Sequence, residues 1–123
     1  MRPATGMREL AAIFAGGFLG AVARVALAEG LAADPAQWPW ATFVANLAGA
    51  LVLGYVAERV RDRRRLLFLA TGFCGALTTF STMQLELLRM LDREHYALAA
   101  GYTVVSVVAG LAAITVATRA ART

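Results

Sequence analysis

Gly72-Phe73-Cys74-Gly75-Ala76-Leu77-Thr78-Thr79-Phe80-Ser81-Thr82 sits within a stretch that is otherwise hydrocarbon, bracketed by Leu66 to Ala70 before it and Leu85 to Leu91 after it. Four hydroxyls in five positions, about halfway along a membrane-spanning segment, must face something polar. The bilayer core has no water to satisfy them. Gly72 and Gly75 precede the hydroxyls and predict a helix break there, because glycine adopts conformations that other residues avoid. Close contact with another helix is the alternative use for such glycines.

The rest of the chain is of the same kind. Of its 123 residues 59% are hydrophobic, and the mean hydropathy is +0.62; a soluble domain carries roughly 45–50% apolar residues. Four apolar stretches, about 7–28, 40–57, 66–91 and 96–117, each meet or approach the ~20 residues that cross a ~30 Å hydrocarbon core. The expected fold is an all-α membrane protein, a single four-span domain over 1–123. As one continuous helix the third stretch would reach about 39 Å, which calls for tilt or a break. So small a bundle encloses little, so self-association or a partner subunit is expected.

The net charge is +4, and all twelve basic residues are arginine. They flank the spans rather than forming a basic face, which points to membrane topology and away from nucleic acid. Arg2, Arg8, Arg59, Arg61, Arg63, Arg64, Arg65, Arg119 and Arg122 fall on one side of a four-span arrangement, against Arg89 and Arg93 on the other. The positive-inside rule then puts both termini in the cytoplasm. Arg2 and Arg8 before an apolar run, with Ala26-Leu27-Ala28 downstream, imitate a cleavable signal, but Arg24 interrupts the apolar region and three more spans follow.

Span one carries Gly16 and Gly20 at small-xxx-small spacing, and span two continues it with Ala45/Gly49 and Ala50/Gly54. Trp38 and Trp40 flank Pro39 as an interfacial anchor would. The intramembrane polar residues are Arg24, Thr42, Asn46, Thr78, Thr79, Ser81, Thr82, Gln84, Glu86, Tyr102 and Ser106. Most are neutral donors, a set suited to replacing the hydration shell of a small anion. Phe80 fits the same use through its positive ring edge. Several alternatives stay open. A hydroxyl can bond back to its own helix, and Asn46 can be an interhelical clasp. Arg24 either snorkels to the interface or adds positive potential at a vestibule. Glu86, about two turns beyond Thr79, is a solvated vestibule carboxylate or a partner for an arginine. An unwound segment at Gly75 and Thr78 would expose carbonyls able to hold a cation. Cys74 is a small buried residue and His95 a surface one. No nucleophile–base pair, phosphate loop or Cys/His cluster points to catalysis.

These residues resemble the Fluc (CrcB) family of fluoride ion channels over nearly the whole length. The motifs in order are Gly16-Gly17-Phe18-Leu19-Gly20-Ala21-Val22-Ala23-Arg24, Trp38-Pro39-Trp40-Ala41-Thr42-Phe43-Val44-Ala45-Asn46-Leu47-Ala48-Gly49, and the opening stretch itself. The resemblance implies a passive, fluoride-selective channel in the plasma membrane, relieving cytoplasmic fluoride toxicity. It implies a broken third helix and an antiparallel dimer, with itself or with an oppositely oriented homologue. A structural Na+ at the dimer centre would rest on the carbonyls of Gly75 and Thr78. Asn46 and Phe80 match the family's pore residues; Thr42, Thr79, Ser81, Thr82, Tyr102 and Ser106 complete the pathway, with Arg24 and Glu86 at the vestibule. Met83 stands where the family usually has a second Phe, and Ala41 and Ala76 replace common glycines. A thioether lacks the ring's positive edge. With nine arginines against two, Met83 raises the expectation of a heterodimer. The other classes considered are a small proton-coupled exporter of cationic drugs, which needs a carboxylate buried mid-membrane, and a non-transporting assembly subunit.

Overall fold

The computed structural model describes residues 6–32 and 37–123, and among these every regular element is helical. Arg2, part of the charge count above, lies outside them. Four helical segments are long and apolar enough to cross a membrane: Met7–Gly30, Trp40–Arg59, Arg63–Asp92 and Tyr96–Arg122. We label α1 (Met7–Gly30), α2 (Trp40–Arg59), α3 (63–77), α4 (Phe80–Asp92) and α5 (Tyr96–Arg122). Each segment outruns its apolar stretch by up to five residues, because helix ends follow backbone hydrogen bonding while the hydropathy edge marks where polar and charged residues begin.

Local chemistry sets the ends. Pro39 precedes α2, where its missing N–H costs nothing. The Asp62 carboxylate accepts from the Arg65 N–H at 3.0 Å and caps α3. That helix opens as an α turn over Arg63–Leu66, widens to a π-helix over Leu67–Cys74 and closes with Gly75–Leu77. Thr78 (φ −78°, ψ 150°) and Thr79 (φ −149°, ψ 113°) are extended, and α4 starts at Phe80. The glycines are not where the chain leaves the helix: Gly75 is helical at φ −60°, ψ −38°. The departure falls three residues later, where Thr79 can cap a new helix.

The glycines serve close contact instead. α1 lies against α3, and α2 against α5. A Cβ at Gly16 would collide with the Phe68 carbonyl, one at Gly20 with the Phe73 carbonyl, and one at Gly72 with the α1 backbone at Ile13 and Gly17. Gly54 meets the Ile114 backbone on α5 in the same way. With no hydrophobic drive between helices in lipid, such backbone proximity is a main source of cohesion.

Larger side chains gather in one cluster. Met83, Met90, Ala99 and Tyr102 form a buried cluster, bordered by Trp38, Phe43, Leu87 and Leu98. The Trp38 ring meets Phe43 and Tyr102 edge-on, each with centroids 5.4 Å apart. Elsewhere, polar links tie the helix ends together: Arg63 to Glu9 at 3.2 Å, Arg122 to Glu58 at 3.1 Å, and Arg59 to the Ala121 carbonyl at 3.1 Å. The outer faces are strongly apolar, with Phe14, Phe18, Leu111 and Val116 all exposed, as lipid-facing helices require.

Candidate functional site

The two extended residues between α3 and α4 create a backbone problem inside the membrane, and three side chains answer it. Asn46 on α2 grips Thr79 at both backbone groups: its Oδ1 accepts from the Thr79 N–H at 2.7 Å, and its Nδ2 donates to the Thr79 carbonyl at 3.3 Å. Arg24 on α1 donates through Nε to the Ala76 carbonyl at 3.0 Å. It reaches inward to the C-terminal end of α3, where orphan carbonyls and the helix dipole favour a cation. Thr79 accepts from the Thr82 N–H at 3.2 Å and donates to the Thr82 hydroxyl at 2.9 Å, capping α4. Removing that cap with Thr79→Val should cost about 1 kcal/mol, read as a lower melting midpoint in detergent, while Thr79→Ser should restore it.

The Thr78 hydroxyl is committed to its own helix, donating to the Cys74 carbonyl at 2.9 Å, and its methyl packs on Gly49. No hydrogen bond to the Thr78 or Gly75 carbonyl oxygen occurs among the described residues, and Gly75 is exposed. No cluster of His, Cys, Asp or Glu that could hold a metal occurs among the described residues.

A second polar group joins α2, α4 and α5. Glu86 accepts from the Thr42 hydroxyl through Oε2 and from the Tyr102 hydroxyl through Oε1, each at 3.0 Å. Tyr102 is fully buried and Thr42 nearly so. This trio stands beside a cup of about 290 Å³ whose lining includes Thr42, Thr82, Glu86, Arg89 and Gln37. Arg24 is not among the residues lining it. A smaller cavity of about 30 Å³ lies between Phe43, Asn46, Leu47, Ser106 and Gly110, room for a water-sized occupant. The Ser106 hydroxyl beside it is buried and has no hydrogen-bond partner.

The sequence-predicted residues therefore separate into neighbourhoods. Asn46, Thr79 and Thr82 meet at the interruption, with Arg24 on the α3 side of it. Thr42, Glu86 and Tyr102 meet at the cup, and Ser106 shares the small cavity with Asn46. Phe80 and Ser81 point outward, with Phe80 71% exposed. Met83, at 8%, faces the other way into the core. Arg89 was not singled out from sequence. Its signal is helical spacing: Thr82, Glu86 and Arg89 recur at i, i+4 and i+7 on one face of α4.

Four helical segments long and apolar enough to cross a membrane define a small, all-helical, multi-pass membrane protein. The family model for CrcB-like proteins (camphor resistance, CrcB) matches residues 11–118, and the chain belongs to that family. It is 55% identical over 121 residues to a fluoride-specific ion channel FluC 1 of Mycolicibacterium paratuberculosis, covering 94% of this chain and 91% of the relative. A channel of the same name from Mycobacterium tuberculosis is 53% identical over 90% of this chain and 88% of its own length. The fluoride-specific ion channel FluC of Bacteroides fragilis is 37% identical over 88% and 91%.

Proposed function

We propose that this chain forms a fluoride-specific ion channel that passively exports cytoplasmic fluoride and so relieves its toxicity. The observation that carries this reading is the succession of neutral donors and small polar spaces from the cup to the interruption. Thr42 and Thr82 line the cup, and Asn46 and the unpartnered Ser106 hydroxyl line the small cavity. A small anion gives up a tightly held water shell only where hydrogen-bond donors replace it. The relatives named as fluoride-specific channels, at up to 55% identity, support the same ion.

A single copy leaves Phe80, Ser81 and Gly75 turned outward. An antiparallel second copy, or an oppositely oriented homologue, would cover them and bring the Phe80 ring edge to the path. The arginine bias favours one orientation, with both termini cytoplasmic, and Met83 in the core leaves Phe80 as the outward aromatic of α4. Both features support pairing with a homologue. The carbonyl oxygens of Gly75 and Thr78, lacking hydrogen-bond partners, fit a structural Na+, a hard cation that takes oxygen ligands. Such an ion would supply fixed positive charge at the dimer centre. The exporter reading lacks its requirement: the acids of α1, Glu9 and Glu29, stand in its first turn and at its end, not mid-span.

The test is a fluoride electrode reading from fluoride-loaded liposomes. Fluoride should leave the vesicles while chloride does not. Efflux from this chain alone would assign self-pairing, and efflux only with a co-reconstituted homologue would assign the mixed dimer. Absence of fluoride flux in both preparations, or transport of a cationic drug instead, would sink the channel reading.

A further inference from the structure

We propose that the groove between α1 and α3, at the end where α1 begins, binds an anionic phospholipid. Its phosphate sits on Arg64 and Arg65, and an acyl chain lies against Ala12, Phe68 and Leu69. These five residues line a cavity of about 380 Å³ whose wall is apolar, the arginines contributing the carbon stems of their side chains. Their order matches a lipid's. Phe68 and Leu69 each follow an arginine by four residues, close to one helical turn, so they lie on about the same face one turn further along the axis. The arginines therefore stand at headgroup level and the apolar pair at the start of the hydrocarbon. Ala12 is the small residue that leaves the space open on the α1 side.

Charge points to the same occupant. Arg63 is engaged by Glu9, Arg59 by the Ala121 carbonyl and Arg122 by Glu58. Asp62 bonds the Arg65 main chain, not its guanidinium. Arg64 and Arg65 are exposed, with no ion-pair partner among the described residues. Two adjacent guanidinium forks suit a phosphodiester, which they can hold bidentately. The membrane surface supplies that group already anchored by its chains. Free phosphate would match the arginines but not the apolar wall.

Native mass spectrometry of the detergent-purified protein, titrated with phosphatidylglycerol or phosphatidylcholine, tests the proposal. Wild type should retain phosphatidylglycerol several-fold better. Arg64→Gln with Arg65→Gln should drop it to the phosphatidylcholine level, and so should Ala12→Phe, which fills the groove without changing charge. Arg61→Gln with Arg119→Gln, at the same end but away from the groove, should leave it unchanged. Retention in either groove variant, or equal loss in the Arg61/Arg119 variant, overturns the site. A wild-type competition stands apart from how the variants fold. Inorganic phosphate should not displace the lipid, and displacement would reassign the arginines to a free anion and overturn the proposal.

Discussion

Asn46→Ala abolishes fluoride efflux and lowers the protein's melting temperature; this is the expected result, and it follows from two bonds. The Asn46 carboxamide is the hydrogen-bond partner of the Thr79 N–H at 2.7 Å and of the Thr79 carbonyl at 3.3 Å. Thr79 is extended and only caps α4, so its N–H gains no helical partner in compensation. Leaving such a group unpaired costs about 1–3 kcal/mol. That is a sizeable share of the 5–15 kcal/mol that typically separates folded from unfolded protein. Asn46→Asp separates bond from charge. Its carboxylate still accepts from the Thr79 N–H but cannot donate to the carbonyl, and it adds a negative charge by the small cavity. Efflux should be lost in both variants, with Asn46→Asp keeping more of the stability. Fluoride electrode traces and detergent melting curves measure the two quantities. Wild-type efflux from Asn46→Ala would mean that the Asn46–Thr79 clasp is dispensable.

Gly72→Val should leave almost no correctly assembled protein. The added Cβ would meet the Ile13 carbonyl, the Gly17 nitrogen at 2.9 Å and the Gly16 Cα at 3.0 Å. All three are backbone atoms on α1, so no rotamer change relieves the clash and the two helices must separate. Overpacking with flexible neighbours costs about 1–3 kcal/mol; here the neighbours are rigid, and the separation would extend to the contacts at Gly16 and Gly20. Gly17→Ala is the contrast, one residue along α1, where a Cβ would sit at an ordinary 3.8 Å from the Gly72 carbonyl. The yield of monodisperse protein after membrane extraction should collapse for Gly72→Val and hold for Gly17→Ala. Equal yields would show that α1 and α3 do not need this approach.

Those two predictions also mark what could be read from sequence. The four spans follow from apolar length alone. The glycine spacing of α1 and α2 announced close crossings; Gly16, Gly20 and Gly54 each meet a neighbouring helix, and Gly49 meets the Thr78 methyl. Gly72 and Gly75 carried two readings at once, and composition could not choose between them. The crossing partner of Gly72 is more than fifty residues away, and the extended residues turned out to be threonines, which cap well. Arg24 was undecided for the same reason. Local sequence gives its depth in the membrane but not the Ala76 carbonyl 52 positions on. Glu86 was visible as an acid near the end of a span, but its tie to Thr42 and Tyr102 depends on how three helices converge. Pairwise long-range geometry is what a single sequence withholds.

The interruption at Thr78 and Thr79 has one more consequence, for acid tolerance. The polarity there comes from peptide dipoles at the end of α3 and the start of α4, and from the guanidinium of Arg24 on the Ala76 carbonyl. Peptide groups have no proton to lose or gain in this range. Acidic surroundings drive more neutral hydrogen fluoride through a bilayer, so a cell's need for efflux grows as the outside becomes acidic. The peptide dipoles of the interruption would then hold constant under the conditions that make them most needed.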